Sequence, residues 1–272
     1  MNFTYSLPLF RISPNFAPLK TQRAKGNKQK VIGNLNARPS TLAMRRNWWK
    51  ILSVVLLVYA FIAGFLVKLP HQVAYEDSNM YETMRNFFFH VPMWFSQLAL
   101  LTVSLVYSIK YLRKPEFRND IIALEFARTA TVLGCLGLLT GAIWANYTWG
   151  SPWSNDPKQI GAAIALLIYL AYFVLRNSIN DIDKRGRVGA VYNIFAYFMY
   201  IPLIMILPRM VESLHPGGKG VEGNPALSGT SLDPAMRAIF WPAVLGWALL
   251  GSWIATLWIR VGLLVEKKHE IK

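Results

Sequence analysis

The chain has 272 residues, of which 54% are apolar and only 16% charged. The apolar residues gather in blocks of about twenty, the length a helix needs to cross a bilayer; this excludes an ordinary soluble fold and the short alternating strands of a barrel. Much of the net charge of +15 sits in the amino-terminal tail and in short loops between the blocks, so it reads as topology information and not as a nucleic-acid surface.

Residues 1–43 carry Arg11, Lys20, Arg23, Lys25, Lys28, Lys30 and Arg38 among scattered Ser, Pro and Asn. They hold no apolar block long enough for a signal-peptide core. They read either as a disordered basic tail or as a mis-assigned start. In the second case the chain begins at Met44, where MRRNWWK leads straight into the first apolar block. Residues 44–272 then read as one membrane domain.

Six spans are predicted, at about 51–69, 91–109, 123–145, 160–175, 189–207 and 239–265. The third has Glu125 and Arg128 near its start, three apart and able to share one helix face. The predicted fold is therefore an all-α integral membrane protein, a six-transmembrane-helix bundle. One cysteine, Cys135, leaves no intrachain disulfide.

The loops set the orientation. Lys110, Arg113, Lys114 and Arg118 fall after span 2. Arg176, Lys184, Arg185 and Arg187 follow span 4, and Lys267, Lys268 and Lys272 close the chain. Together with the basic amino terminus these place both termini in the cytoplasm. In a bacterium the three opposite loops, 70–90, 146–159 and 208–238, then face the periplasm from the inner membrane.

The outward face holds the unusual residues. Of four histidines, His71, His90 and His215 lie there, and His269 lies in the cytoplasmic tail. Imidazole is a common axial ligand of haem iron, and two on one face could hold an iron from above and below. Histidine at a membrane edge can equally rest among the headgroups. Between spans 3 and 4 comes WANYTWGSPWSNDPKQ, with Trp144, Tyr147, Trp149 and Trp153 within ten residues. An interfacial aromatic belt accounts for one or two of these. A dense cluster beside Gly150 and Asp156 suits a shelf for a flat apolar macrocycle. Haem propionates would need cations near the rim. Arg85, Lys158, Arg209 and Arg237 are the outward candidates, with Lys158 and Arg237 preferred. No HExxH, GxSxG, Walker lysine loop or dinucleotide fingerprint is present, so no enzymatic activity is assigned. Any ATPase that works with this protein is another chain.

These residues resemble the CcmC-type haem-handling membrane proteins of cytochrome c biogenesis, within the wider CcmC/CcmF/CcsA family. The family's outward loop has the pattern WGxxWxWD, and residues 149–156 read WGSPWSND. Trp149, Gly150, Trp153 and Asp156 match it, and the family's third tryptophan falls on Asn155. A family segment like HVPxxW is similar to HVPMW here, which carries an axial-ligand role to His90. LHPGG before the last span carries the second to His215. The resemblance implies a transiently bound haem b at the periplasmic face and delivery to a periplasmic haem chaperone. It also implies ABC-type transporter components of the cytochrome c maturation system as partners. Three alternatives remain. A b-type electron-transfer cytochrome would want histidines inside its spans. An ABC-transporter permease would need a cytoplasmic coupling segment. A subunit of a CcsA-type synthase would work with a large partner.

The orientation predicts that a reporter fused after Asn155 behaves as periplasmic. Alkaline phosphatase activity there, with β-galactosidase silent at the same point, is the expected outcome; the reverse pattern would invert the topology.

Overall fold

The computed structural model describes residues 47–69, 83–215 and 232–271. The tail at 1–43, Met44 and His71 lie outside the described residues. Among the described residues every regular element is helical. Helix α1 spans Trp48–Leu66. A 3₁₀ turn at Met84–Asn86 leads into α2, Phe87–Arg113. Then come α3 (Phe117–Trp149), α4 (Pro157–Ser178) and α5 (Ile182–Ile201). A π-helical turn at Pro202–Ile206 joins α5 to the short α6, Leu207–Met210, and α7 runs from Pro234 to Ile271.

Six helical stretches are long and apolar enough to cross a membrane: Trp48–Leu66, Met84–Arg113, Phe117–Trp149, Pro157–Ser178, Ile182–Met210 and Pro234–Lys267. They coincide with the six expected spans, and the chain is a multi-pass membrane protein. Most run several residues past the expected ends. Helix α3 in particular continues through Trp144, Tyr147 and Trp149, so these aromatics stand on its last turns and not in a loop.

Helix α3 occupies the centre. Of its apolar stretch 67% is buried, against 17% for α1 and 11% for α7. It packs along α2, α4 and α7, while α1 lies outside, mainly against α7. The core of Leu100, Leu101, Phe126, Leu133, Tyr169 and Tyr200 fills the space between α2, α3, α4 and α5. A second cluster joins α1, α2 and the start of α7 through Phe88, Met236, Ile239 and Phe240. Outside it, α1 exposes Val54, Val55, Val58, Phe61, Ile62 and Phe65. In water so large an apolar patch would be a liability, whereas in hydrocarbon it is the expected covering.

Association in lipid cannot rely on the hydrophobic effect, so polar links and small residues take its place. Ser53 Oγ donates to the Gly246 carbonyl at 3.0 Å, and Ser96 Oγ to Val244 at 3.0 Å. Asn193 Nδ2 donates to Ser104 and Ser108, both at 2.7 Å. Arg176, counted above as a loop charge, is in the last turn of α4 and points inward. Its guanidinium meets both Asp120 carboxylate oxygens at 2.7 Å, and both residues are buried. The bidentate match satisfies two charges that would otherwise be costly in this setting. Glu125 and Arg128 do share a face, with both carboxylate oxygens accepting from Arg128 Nη1 at 2.7 and 2.9 Å.

The junction after α5 shapes the end of the bundle where α4 begins. Pro202 and Pro208 lack the N–H that a regular α-helix requires, and the chain answers with a π turn in which the Leu207 N–H donates to the Pro202 carbonyl. That turn lies against α4 at Gly161. A Cβ on Gly161 would stand 2.3 Å from the Leu203 carbonyl oxygen, a backbone atom with nowhere to go. Gly161→Ala should therefore force α4 and the π turn apart and cost roughly 1–3 kcal/mol, as overpacking does. A lowered thermal midpoint of the detergent-solubilised protein is expected, and an unchanged midpoint would show that this approach is not constrained.

Candidate functional site

The carboxyl-terminal end of α3 is closed by Gly150, whose φ of 76° is the left-handed conformation that commonly ends a helix. The short loop that follows is tied to itself. Trp153 Nε1 donates to Asn155 Oδ1 at 2.8 Å. Asn155 has φ 56°, which asparagine tolerates better than bulkier residues. The residue at the position of the family's third tryptophan thus holds the second one. Gln159 Oε1 accepts from Ser154 N and Oγ at 2.9 and 3.1 Å, and Gln159 Nε2 donates to the Pro152 carbonyl at 3.2 Å.

The loop ends at Asp156, the N-cap of α4, with Pro157 in the first helical position. The Asp156 carboxylate is buried and accepts four hydrogen bonds. Oδ1 takes Lys158 N at 2.9 Å and His215 Nδ1 at 2.7 Å. Oδ2 takes Ser213 Oγ at 2.8 Å and Leu214 N at 2.7 Å. One side chain thereby fastens the segment after α6 to the start of α4. Burial by itself would raise the Asp156 carboxyl pKa. The hydrogen bond from His215, helped by those from Ser213 and the Lys158 N–H, overcomes it and holds the group well below the usual carboxylate range.

The His215 ring is enclosed by tryptophans. Trp149 meets it edge-on with centroids 4.8 Å apart, and Trp144 lies 5.9 Å away. Its Nδ1–H goes to a carboxylate, so Nε2 is the ring nitrogen left for a ligand. His90 stands in the first turn of α2. Its Nδ1 is 3.1 Å from Thr140 Oγ1 on α3. That hydroxyl already directs its proton to the Leu136 and Gly137 carbonyls, at 2.9 and 3.0 Å. With that proton committed, the hydroxyl oxygen is placed to accept from His90 Nδ1, and the Gly137 carbonyl is also within hydrogen-bonding reach of the ring. The ring lies close against Gly141, where a Cβ would stand 2.7 Å from His90 Cε1.

His90 and His215 line the same cavity, of about 260 Å³, together with Trp94, Trp144, Trp153 and Lys158. This volume is below the ~300–1,000 Å³ that encloses a drug-sized ligand, so a larger flat ligand would not be fully enclosed by this wall. Trp149 reaches the cavity through His215, Asp156 acts from behind the same ring, and Gly150 contributes only its backbone. Tyr147 is 70% exposed on the outer side of α3. Arg237 donates to the Leu232 carbonyl at 2.7 Å and is not part of the cavity wall. Arg209 is part of it, alongside Lys158. Arg85 binds the Gly64 and Val67 carbonyls at the end of α1. Thr140 and Gly141 were not singled out from the sequence, because their role depends on the register of α3 against α2. Trp94 had a signal: it stands four residues after His90 on one helix face. Among the described residues no three His, Cys, Asp or Glu side chains converge on a bare metal ion. A porphyrin brings four nitrogens of its own and asks the protein only for axial ligands.

The sequence family described as Cytochrome C assembly protein matches this chain over residues 32–215. The chain belongs to this family. Its similar relatives include "Heme exporter protein C" of Escherichia coli (strain K12), 24% identical over 230 residues, which cover 82% of this chain and 85% of that protein. The protein of the same name from Paracoccus denitrificans is 30% identical over 116 residues, 43% of this chain and 48% of its own length. "Cytochrome c biogenesis protein CcsA" of Prochlorococcus marinus (strain CCMP1986) is 34% identical over 155 residues, 56% of this chain and 48% of its own length. Membership in the cytochrome c assembly family makes this chain a membrane protein of the haem-handling, cytochrome c biogenesis class.

The Asp156 cluster has a pH signature. Its folded-state pKa is depressed, so the stability it contributes is fully present above the unfolded carboxylate value of about 4 and is lost as pH falls through the folded value. Asp156→Ala should cost roughly 3–5 kcal/mol near neutrality, the scale of breaking a buried pair. The gap in thermal midpoint between parent and variant should hold steady at pH 5–7 and narrow below about pH 4. A gap that stays constant down to pH 2 would mean that the carboxylate charge is not the source.

Proposed function

We propose that this protein binds haem b at the periplasmic face of a bacterial inner membrane and hands it to a periplasmic haem chaperone during cytochrome c maturation. His90 and His215 supply the axial imidazoles. Trp144, Trp149 and Trp153 form the apolar shelf, Gly150 and Asp156 hold that shelf and His215 in shape, and Lys158 serves a propionate at the rim. Tyr147 and Arg237 act at the periphery of the same face. The membrane domain at 44–272 works as one unit, both termini are cytoplasmic, and ABC-type transporter components act with it as separate chains.

The observation that carries this reading is the shared cavity wall of the two histidines, each with Nδ1 engaged by a protein group. Metal-bound histidines usually have their other nitrogen held in this way. The two ligands come from separate elements, α2 and the segment after α6, so a small displacement of either weakens the hold. That suits transfer better than storage. A second reading draws on the similarity to CcsA: the chain would then belong to a CcsA-type synthase, with the same site and a different recipient.

Single His→Ala variants at 90 and 215, purified from cells with ample haem, test the assignment. The parent should give a low-spin bis-imidazole spectrum in both iron redox states. Each variant should turn high-spin or lose haem. An unchanged bis-imidazole spectrum in either variant would remove that histidine from the site, and a parent that never takes up haem would remove the functional reading.

A further inference from the structure

The two imidazoles are not held alike. His215 gives its Nδ1 proton to the Asp156 carboxylate at 2.7 Å, and that carboxylate is fixed by three further donors. His90 faces only neutral acceptors: Thr140 Oγ1 at 3.1 Å, and the Gly137 carbonyl within hydrogen-bonding reach of the ring. Charge-assisted hydrogen bonds are shorter and roughly twice as strong as neutral ones. A carboxylate behind an imidazole also raises its basicity as a metal ligand. We propose that His215 is the strong, retained iron ligand and His90 the labile one, which lets go first when haem is passed on; this rests on the ligand assignment above. Asp156 and Thr140 are the positioning residues that create the difference.

The placement of the two ligands gives the order a direction. His90 is carried by α2 within the span Met84–Arg113, and its ring is wedged against Gly141 of α3. His215 is carried by the outward segment beyond α6. When the Fe–Nε2 bond to His90 breaks, the electron pair returns to the imidazole and the iron presents an open position on its inner face. The haem remains attached through His215, the side from which a soluble acceptor approaches. Had the strengths been reversed, the haem would stay fixed to the membrane helix while its outer ligand left.

Carbon monoxide tests the order on the haem-loaded protein, because it replaces one axial imidazole of ferrous haem and leaves the other trans to it. The CO adduct of the parent should match that of His90→Ala, which retains His215, and should differ from that of His215→Ala. By resonance Raman, the iron–imidazole stretch of ferrous His90→Ala should lie at higher frequency than that of His215→Ala. Adding Asp156→Asn to His90→Ala should lower it toward the other. A parent adduct that matches His215→Ala, or stretches that are equal or reversed, would overturn the proposal. Thr140→Val keeps both ligands and guards against variants that lose haem altogether. It should speed CO uptake by the ferrous parent several-fold, and an unchanged rate would also overturn the proposal. A parent without a bis-imidazole spectrum at the outset would instead overturn the ligand assignment on which the proposal stands.

Discussion

Four donors converge on one buried carboxylate at the end of the bundle where α4 begins, and the geometry of the site depends on that convergence. Asp156 caps α4 through Lys158 N, gathers Ser213 and Leu214 from a distant segment, and orients His215. A buried carboxylate is expensive to leave unsatisfied, so the four partners are not interchangeable options. The sequence separation between Asp156 and His215 is bridged by α4, α5 and the π turn, and each must have its observed length for the partners to meet. The close packing of Gly161 against Leu203 belongs to the same requirement, since it sets how near the π turn can come to α4.

The same principle recurs at the opposite end, where charge is managed by pairing. Asp120 and Arg176 lock α3 to α4 with a bidentate contact, and Asn193 links α5 to α2 through two serines. Between the two polar ends lies a middle of aromatic and aliphatic side chains that lipid surrounds. The bundle is therefore pinned at both ends by directional bonds, with serine links such as Ser96 to Val244 between them, and is otherwise filled by packing. A site at one end can then hold its shape while the outer helices, α1 and α7, remain largely exposed to hydrocarbon.

The six spans were legible in the sequence because a bilayer leaves little freedom: an apolar run of sufficient length has one structural solution. His90, His215, Trp153 and Asp156 could be picked out because they stand in recognisable local patterns. What could not be read is what depends on the register between helices. Thr140 is an ordinary hydroxyl in an apolar run until α3 is laid beside α2. Arg176 ends an apolar block, and in one dimension it cannot be told from a loop charge. The reach of α3 through Trp149 was hidden because Asn146, Thr148 and the aromatics look like an interface, although they continue the helix. The π turn at Pro202 needed a backbone to be seen.

The length of α3 has a consequence for where the site stands relative to the lipid. Its 33 residues extend about 50 Å at ~1.5 Å per residue, whereas the hydrocarbon layer is only about 30 Å thick. Even a tilted helix of this length overshoots the layer. Part of the helix therefore stands outside the hydrocarbon, so the polar groups at its two ends, Asp120 with Arg176 and the loop that leads to Asp156, need not sit among lipid tails.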